Sequence, residues 1–213
     1  MNDSDRQLPE QLAARLRGPL PGAAIGPRFE ISAPRRVGHY DPAPAAARPA
    51  AVLILLYPHA ERWHLPLTLR PSHLPDHAGQ ISLPGGGIEP GESSAQAAIR
   101  EFHEELGAAG LAIRLLGTLT PIYVEVSNFR VDPWVGVADR RPDWTPNPVE
   151  VQQLLEIPLD HLLDPANLGS HSRHRGDVCI TAPHFLWQSH RIWGATCAIL
   201  GEFVTLLGPR TRS

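Results

Sequence analysis

The chain has 213 residues, a formal net charge of −3, 42% hydrophobic and 19% charged residues, the balance of one folded domain and not of a disordered chain or a nucleic-acid-binding one. All 19 of its Lys-plus-Arg positions are arginine. Without lysine there is no Walker A, kinase-type or Schiff-base lysine, so those three mechanisms are excluded.

The opening "MNDSDRQLPEQLAARLRG" mixes acids with arginine and has no apolar core segment, so neither a secretory signal nor a transit peptide is expected. Cytoplasm is the expected compartment, with no membrane and no nucleic acid as partner. "LPEQLAARLRG" (8–18) predicts a short helix, and the Pro/Ala-rich stretch 33–49 an extended connector. "AVLILLY" (51–57) is too short to span a bilayer and predicts a buried strand, with "WHLPLTLR" (63–70) beside it. A Gly/Pro-rich loop is expected over 71–91, then a helix over 94–106, capped by Ser93 or Ser94 and stopped by Gly107. Strands are expected over 111–120 and 129–137, and helices near 158–164 and 193–207. "GSHSRHRGD" (169–177) reads as a mobile polar loop, since His171 and His174 lack the cysteines or acid pair of a zinc site. Cys179 and Cys197 have no CxxC partner and read as buried free thiols. The five tryptophans read as mostly core, with Trp134 or Trp193 a candidate to line a pocket. The fold class is α/β in the mixed α+β sense, a mixed sheet sandwiched between helices, because no regular βαβ repeat occurs. The expected organisation is a helix and connector over 1–45, the main folded domain over 46–208 and a tail over 209–213.

The helix at 94–106 crowds three acids. With Glu101 at 0° and about 100° per residue, Glu105 falls near 40°, Glu104 near −60° and Ala97 near −40°. Phe102, Ala95, Leu106 and Ile99 lie on another side, between about 100° and 160°. Like charges so spaced cost roughly 0.2–0.5 kcal/mol per pair, and Arg100, the one cation nearby, points elsewhere on this wheel. Converging carboxylates beside a glycine-rich loop are what a hard divalent cation demands, and the small alanines leave room for something bulky to approach.

The same stretch resembles the signature of the Nudix hydrolase family, through Gly86, Glu92, Arg100, Glu101, Phe102, Glu104, Glu105, Gly107 and Ala108. Seven fixed residues at fixed spacing arise by chance at about 10⁻⁸ to 10⁻⁹ per start position. Phe102 and Ala108 replace larger aliphatics on the packing side. The resemblance implies Glu101 and Glu105 as principal ligands of Mg²⁺ or Mn²⁺, with Glu104 assisting. It makes Glu92 an outer acid, Arg100 an orienter of carboxylates, and Gly86 a point of close backbone approach. The implied chemistry is hydrolysis of a nucleoside diphosphate derivative, the metal neutralising charge and activating water.

Residues 67–86, "LTLRPSHLPDHAGQISLPGG", resemble the upstream element of the coenzyme A diphosphatase subgroup, with agreement at Thr68, Arg70, Gly79, Pro84, Gly85 and Gly86. Departures are Pro71, Pro75 for an expected arginine, and Leu83. Arg70 and the backbone at Gly79, Gly85 and Gly86 are the expected substrate contacts, with His73 or His77 standing in for the missing guanidinium. Later segments resemble the subgroup as well, so the likeness covers roughly 50–207. Glu150, in "NPVEV", is the leading candidate for the proton acceptor and Glu125 the alternative. The expected reaction is hydrolysis of coenzyme A, or a derivative, to 3′,5′-ADP and 4′-phosphopantetheine. Alternatives are a Nudix enzyme acting on ADP-ribose or NADH, and a non-catalytic nucleotide-binding domain. The resemblance also allows a homodimer.

Overall fold

The computed structural model describes residues 3–26, 29, 39–72, 79–175 and 178–208. At its centre is β1 (Arg48–His59), whose alternation sends alternate side chains to opposite faces. Ala51, Leu53, Leu55 and Tyr57 meet Ala97, Ala98, Phe102 and Leu106 of α2 (Ser94–Leu106). Ala50, Ile54 and Leu56 join a second core with Leu8, Leu12 and Leu16 of α1 (Asp3–Leu16) and Ile199, Leu200 and Phe203 of α4 (Ala195–Leu207). Helices on both faces let the run 51–57 be continuously apolar.

β1 pairs in parallel with β7 (Phe129–Val137) and antiparallel with β2 (Arg62–Leu69) and β4 (Gly85–Gly87). β3 (Ile81–Ser82) and β8 (Gln153–Pro158) extend the sheet from β2. β5 (Arg114–Thr118) and β6 (Ile122–Val124) pair with β7. This is the mixed sheet between helices that the sequence predicts. The strand expected over 111–120 is confined to Arg114–Thr118, and a bulge between Leu115 and Gly117 leaves room for α1: a Cβ on Gly117 would stand 2.9 Å from that of Leu16.

Beyond the short α3 (Leu159–Leu163), a second sheet is built from β9 (Leu168–Arg175), β10 (Val178–Trp187) and β11 (His190–Trp193). The expected mobile loop over 169–177 is therefore corrected. Through residue 175 it is an antiparallel strand whose polar residues carry no periodic signal, held by its ladder to β10. Phe185 and Ile192, paired across β10 and β11, anchor this sheet in the α1/α4 core. Thr196 Oγ1 donates to Ile81 O at 3.1 Å, tying the start of α4 to β3. The expectation for the cysteines holds for Cys197, which is buried, but Cys179 is exposed.

Glu202 of α4 is fully buried, yet it is satisfied. It accepts from Gly22 N at 2.8 Å, Thr120 N at 3.1 Å and Thr120 Oγ1 at 2.6 Å, joining the segment after α1, the β5–β6 turn and α4. Burial pushes its carboxyl above the ordinary value while these donors pull the other way. Glu202→Ala strands the donors, so a loss of about 2–4 kcal/mol is expected. Thermal unfolding checks this, with a midpoint lower by roughly 5–15 °C.

Candidate active site

α2 begins with a capping box. Ser93 Oγ accepts from Gln96 N at 3.3 Å, and Ser93 N donates to Gln96 Oε1 at 2.9 Å, so Ser93 and not Ser94 is the cap. The helix ends at Gly107, whose φ of 62° is the left-handed C-cap expected of glycine. The buried face is turned from the one the helical wheel predicts. Ala97, Ala98, Phe102, Glu105 and Leu106 are buried, whereas Ala95 and Ile99 are only partly so. The bulky group that the alanines admit is the protein's own sheet, and it brings Glu105 inside.

Glu105 is 3% exposed and accepts from Gly85 N at 3.2 Å. Burial pushes its carboxyl up to about 8, with Glu150 and Glu101 adding to the rise, while the Gly85 N–H and the Arg70 charge oppose it. Burial also raises Glu101, against the pull of Arg100. β4 lies against this pair because it has no side chains. A Cβ on Gly86 would stand 2.4 Å from Glu101 Cδ, and one on Gly85 would stand 2.3 Å from Ala51 O.

Arg100 does not point away from the acids, as the wheel has it. Its side chain turns back and spends all five of its N–H donors. Nε and Nη2 grip Glu92 at 2.9 and 3.0 Å, Nη2 reaches Gly87 O at 3.0 Å, and Nη1 reaches Glu101 Oε1 at 2.9 Å and Glu104 Oε2 at 3.0 Å. Glu92 also accepts from Glu89 N at 3.1 Å, and these bonds, the one from Arg100 foremost, hold its carboxyl below the ordinary range. Glu104 remains 56% exposed.

Among the described residues, no three acidic, imidazole or thiol groups close up tightly enough to enclose a cation. The donor set nevertheless fits one. Glu101 and Glu105 each direct one oxygen to the protein and keep the other, Oε2, without a hydrogen-bond partner among the described residues. A buried carboxylate stripped of water is a group that a hard divalent cation re-stabilises.

Arg70 follows β2, and its backbone is closed by Gly79 N donating to Arg70 O at 3.2 Å and Arg70 N donating to Gln80 O at 3.0 Å, with Gly79 at φ 65°. Its Nε is buried and without a partner among the described residues. His73 and His77 lie outside the described residues. Glu150 sits on a turn fastened to α2: Asn147 N donates to Glu105 O at 2.8 Å, and Glu150 N to Asn147 O at 3.1 Å. Glu125 lies exposed on the turn between β6 and β7. Trp134 is occupied as a prop for α2, donating to Ser94 Oγ at 3.1 Å, and Trp193 packs edge-on to His171. Sequence reasoning missed the cluster of Tyr57, Arg141, Trp144 and Glu156 beneath the Glu150 turn. Its members come from β1, a loop and β8, so no local spacing could reveal them.

Two outcomes follow from the buried carboxylate and its glycines. Between about pH 4.5 and 8, folded Glu105 keeps a proton that the unfolded chain has lost, so this group makes the cation-free fold less stable as pH rises. Glu105→Gln removes that dependence. In EDTA, its midpoint minus that of the wild type is expected to grow from pH 5 to pH 8, as read by calorimetry. Gly85→Ala collides with backbone and is expected to lower the midpoint far more than Gly86→Ala, whose Cβ meets only the movable end of Glu101.

Residues 47–174 match the NUDIX domain family, a span that takes in β1, β4, α2 and the Glu150 turn. The chain is 36% identical over 171 residues to a mitochondrial coenzyme A diphosphatase of Homo sapiens, covering 78% of this chain and 72% of the relative. It is also 36% identical over 174 residues to NudL, an uncharacterized Nudix hydrolase of Yersinia enterocolitica, covering 81% and 86%. Identity to Nudix hydrolase 3 of Caenorhabditis elegans is 31% over 175 residues, covering 75% and 73%. With the matched domain carrying the acid helix and the glycine strand pressed against it, the chain belongs to the Nudix family and is a hydrolase of that family.

Proposed function

We propose that the chain hydrolyses the diphosphate of coenzyme A, or of a derivative, to 3′,5′-ADP and 4′-phosphopantetheine, with Mg²⁺ or Mn²⁺ at the α2 carboxylates. The observation that carries this reading is Arg70. Its buried Nε lacks a partner among the described residues, and its charge acts on Glu105 across the glycine strand. A guanidinium held unspent beside a carboxylate cluster suits a phosphate oxygen. Support for the substrate comes from the segment 67–86 and from the name of the human relative.

In this reading the free oxygens of Glu101 and Glu105 hold the cation, with Glu104 beside them. The bound cation supplies the positive charge against which the diphosphate oxygens gather negative charge during cleavage. Arg100 and Glu92 fix the acid array. Gly85 and Gly86 let the diphosphate approach the backbone, and Arg70, with His73 or His77, takes a phosphate. Glu150 accepts the proton of the attacking water as its oxygen bonds to phosphorus and the bridging P–O bond breaks, the leaving phosphate departing as the second product.

Pro75, standing where the subgroup pattern has arginine, favours a second reading in which ADP-ribose or NADH is the substrate. Mass spectrometry of products from coenzyme A, ADP-ribose and NADH, with Mg²⁺ or Mn²⁺ and an EDTA control, separates the two. Preferred release of 4′-phosphopantetheine, abolished by EDTA, is expected. Cleavage of the other substrates while coenzyme A stays whole would overturn the coenzyme A reading and leave the Nudix chemistry standing.

A further inference from the structure

Glu150 stands on a strap, residues 139–151, that runs from the end of β7 to the start of β8. The strap is fixed at three points. Farthest from the acids, Glu156 of β8 accepts from Trp144 Nε1 at 3.0 Å, Arg141 Nε at 2.8 Å, Arg141 Nη2 at 2.5 Å and Tyr57 Oη of β1 at 2.9 Å. The Trp144 ring stands edge-on to Tyr57, centroids 5.4 Å apart, and to Phe102 of α2 at 6.1 Å. In the middle, Thr145 N donates to Leu106 O at 3.0 Å and Asn147 N to Glu105 O at 2.8 Å. These are two of the carbonyls that the end of α2 leaves without helical partners. Gly107 makes the approach feasible, since a Cβ there would stand 2.2 Å from Thr145 O. Nearest the site, Val149 N donates to Asn147 Oδ1 at 3.1 Å, and Glu150 N and Val151 N both donate to Asn147 O, at 3.1 and 2.9 Å. Val151 is buried against α2, and Gln152 N donates to Leu69 O at 2.8 Å.

A carboxylate at Glu156 is a costly way to fill the space between β1, β8 and a loop. Burial opposes its ionisation, and only the donors from Arg141, Trp144 and Tyr57 outweigh that and hold it charged. A leucine there would pack without fixing direction, whereas four donors converging on two oxygens set both the height and the rotation of the strap.

We propose that Trp144, Arg141 and Glu156 are positioning residues for the Glu150 carboxylate: their network holds the strap in the one placement that sets Glu150 over the Glu101–Glu105 pair. This rests on the role given to Glu150 above. The three residues touch neither substrate nor cation; they act through the strap, so they govern turnover and not substrate affinity.

The test is a double-mutant cycle on the full chain: wild type, Trp144→Phe, Glu150→Gln and the pair, assayed with Mg²⁺ on whichever of coenzyme A, ADP-ribose or NADH the wild type cleaves fastest. Trp144→Phe keeps an aromatic ring between Tyr57 and Phe102 and removes the N–H together with the five-membered ring that carries it. It is expected to lower kcat about tenfold with KM changed less than twofold, and Glu150→Gln about a hundredfold. The double variant should fall no further than Glu150→Gln alone, because once the carboxylate is gone its placement no longer matters. If the two losses multiply in the double variant, the network acts on something else and the inference is overturned. An unchanged kcat in Trp144→Phe overturns it as well. Wild-type kcat in Glu150→Gln overturns instead the role of Glu150 on which the inference stands. Should Trp144→Phe not fold, Arg141→Gln replaces it in the cycle, since that side chain is 39% exposed and its loss leaves the ring packing intact.

Discussion

Everything around the acid cluster follows from one carboxylate being inside. Glu105 lies within the packed face of α2, on the same side as Ala97, Ala98 and Phe102, where a helix of this length would normally place an apolar residue. It can be there because the strand opposite is a run of glycine. Only a strand without Cβ atoms can press an N–H against Glu105 while lying flush with β1 on its other edge. The single bond from Gly85 does not cover the cost of removing a carboxylate from water, so the group is driven toward its neutral form. Under the proposed function, a bound cation supplies the positive charge that favours the ionised form of this carboxyl.

The neighbouring acids are handled in the opposite way. Arg100 gives its donors to Glu92, Glu101, Glu104 and the Gly87 carbonyl until none is left. That saturation divides the labour. Glu92 is wholly engaged in locking the loop before α2 to the helix, whereas Glu101 is held by one oxygen and Glu105 by none of the arginine's donors. The like-charge repulsion along α2 is thus offset from one flank by a cation that is part of the chain. The strap completes the arrangement from behind, satisfying two terminal carbonyls of α2 with the segment that carries a fifth acid, Glu150.

What the sequence disclosed and what it hid divide along physical lines. The ends of α2 were legible because capping is local chemistry: Ser93, Gln96 and Gly107 lie where their backbone partners are. The run 51–57 was legible as a strand because burial on both faces leaves no polar position in it. β9 was not, since Gly169, Ser170, His171 and Ser172 owe their extended form to β10 and not to any pattern of their own. The true rotation of α2 was hidden for a related reason: an angular wheel weighs side chains alone, and what buries Glu105 is the absence of side chains twenty residues upstream. The strap anchor was hidden most thoroughly, because Tyr57, Arg141, Trp144 and Glu156 are brought together only by sheet register and loop closure.

The lack of lysine matters more in this structure than composition alone suggests. At two of the places where a cation organises backbone or acids, the geometry uses the planar fork and not merely the charge. Arg100 bridges four partners at once, and Arg141 meets Glu156 through two nitrogens. Arg15 of α1 caps α4 by donating through Nη1 to the carbonyls of both Leu206 and Leu207. An ammonium has three donors radiating from a point and could not replace Arg100, which makes five bonds, without dropping partners. Arg70 differs in where its free donor lies. It has the same fork, but with a buried donor that nothing among the described residues accepts. Under the proposed function, this buried guanidinium donor, whose charge acts on Glu105, suits an acceptor from outside the chain.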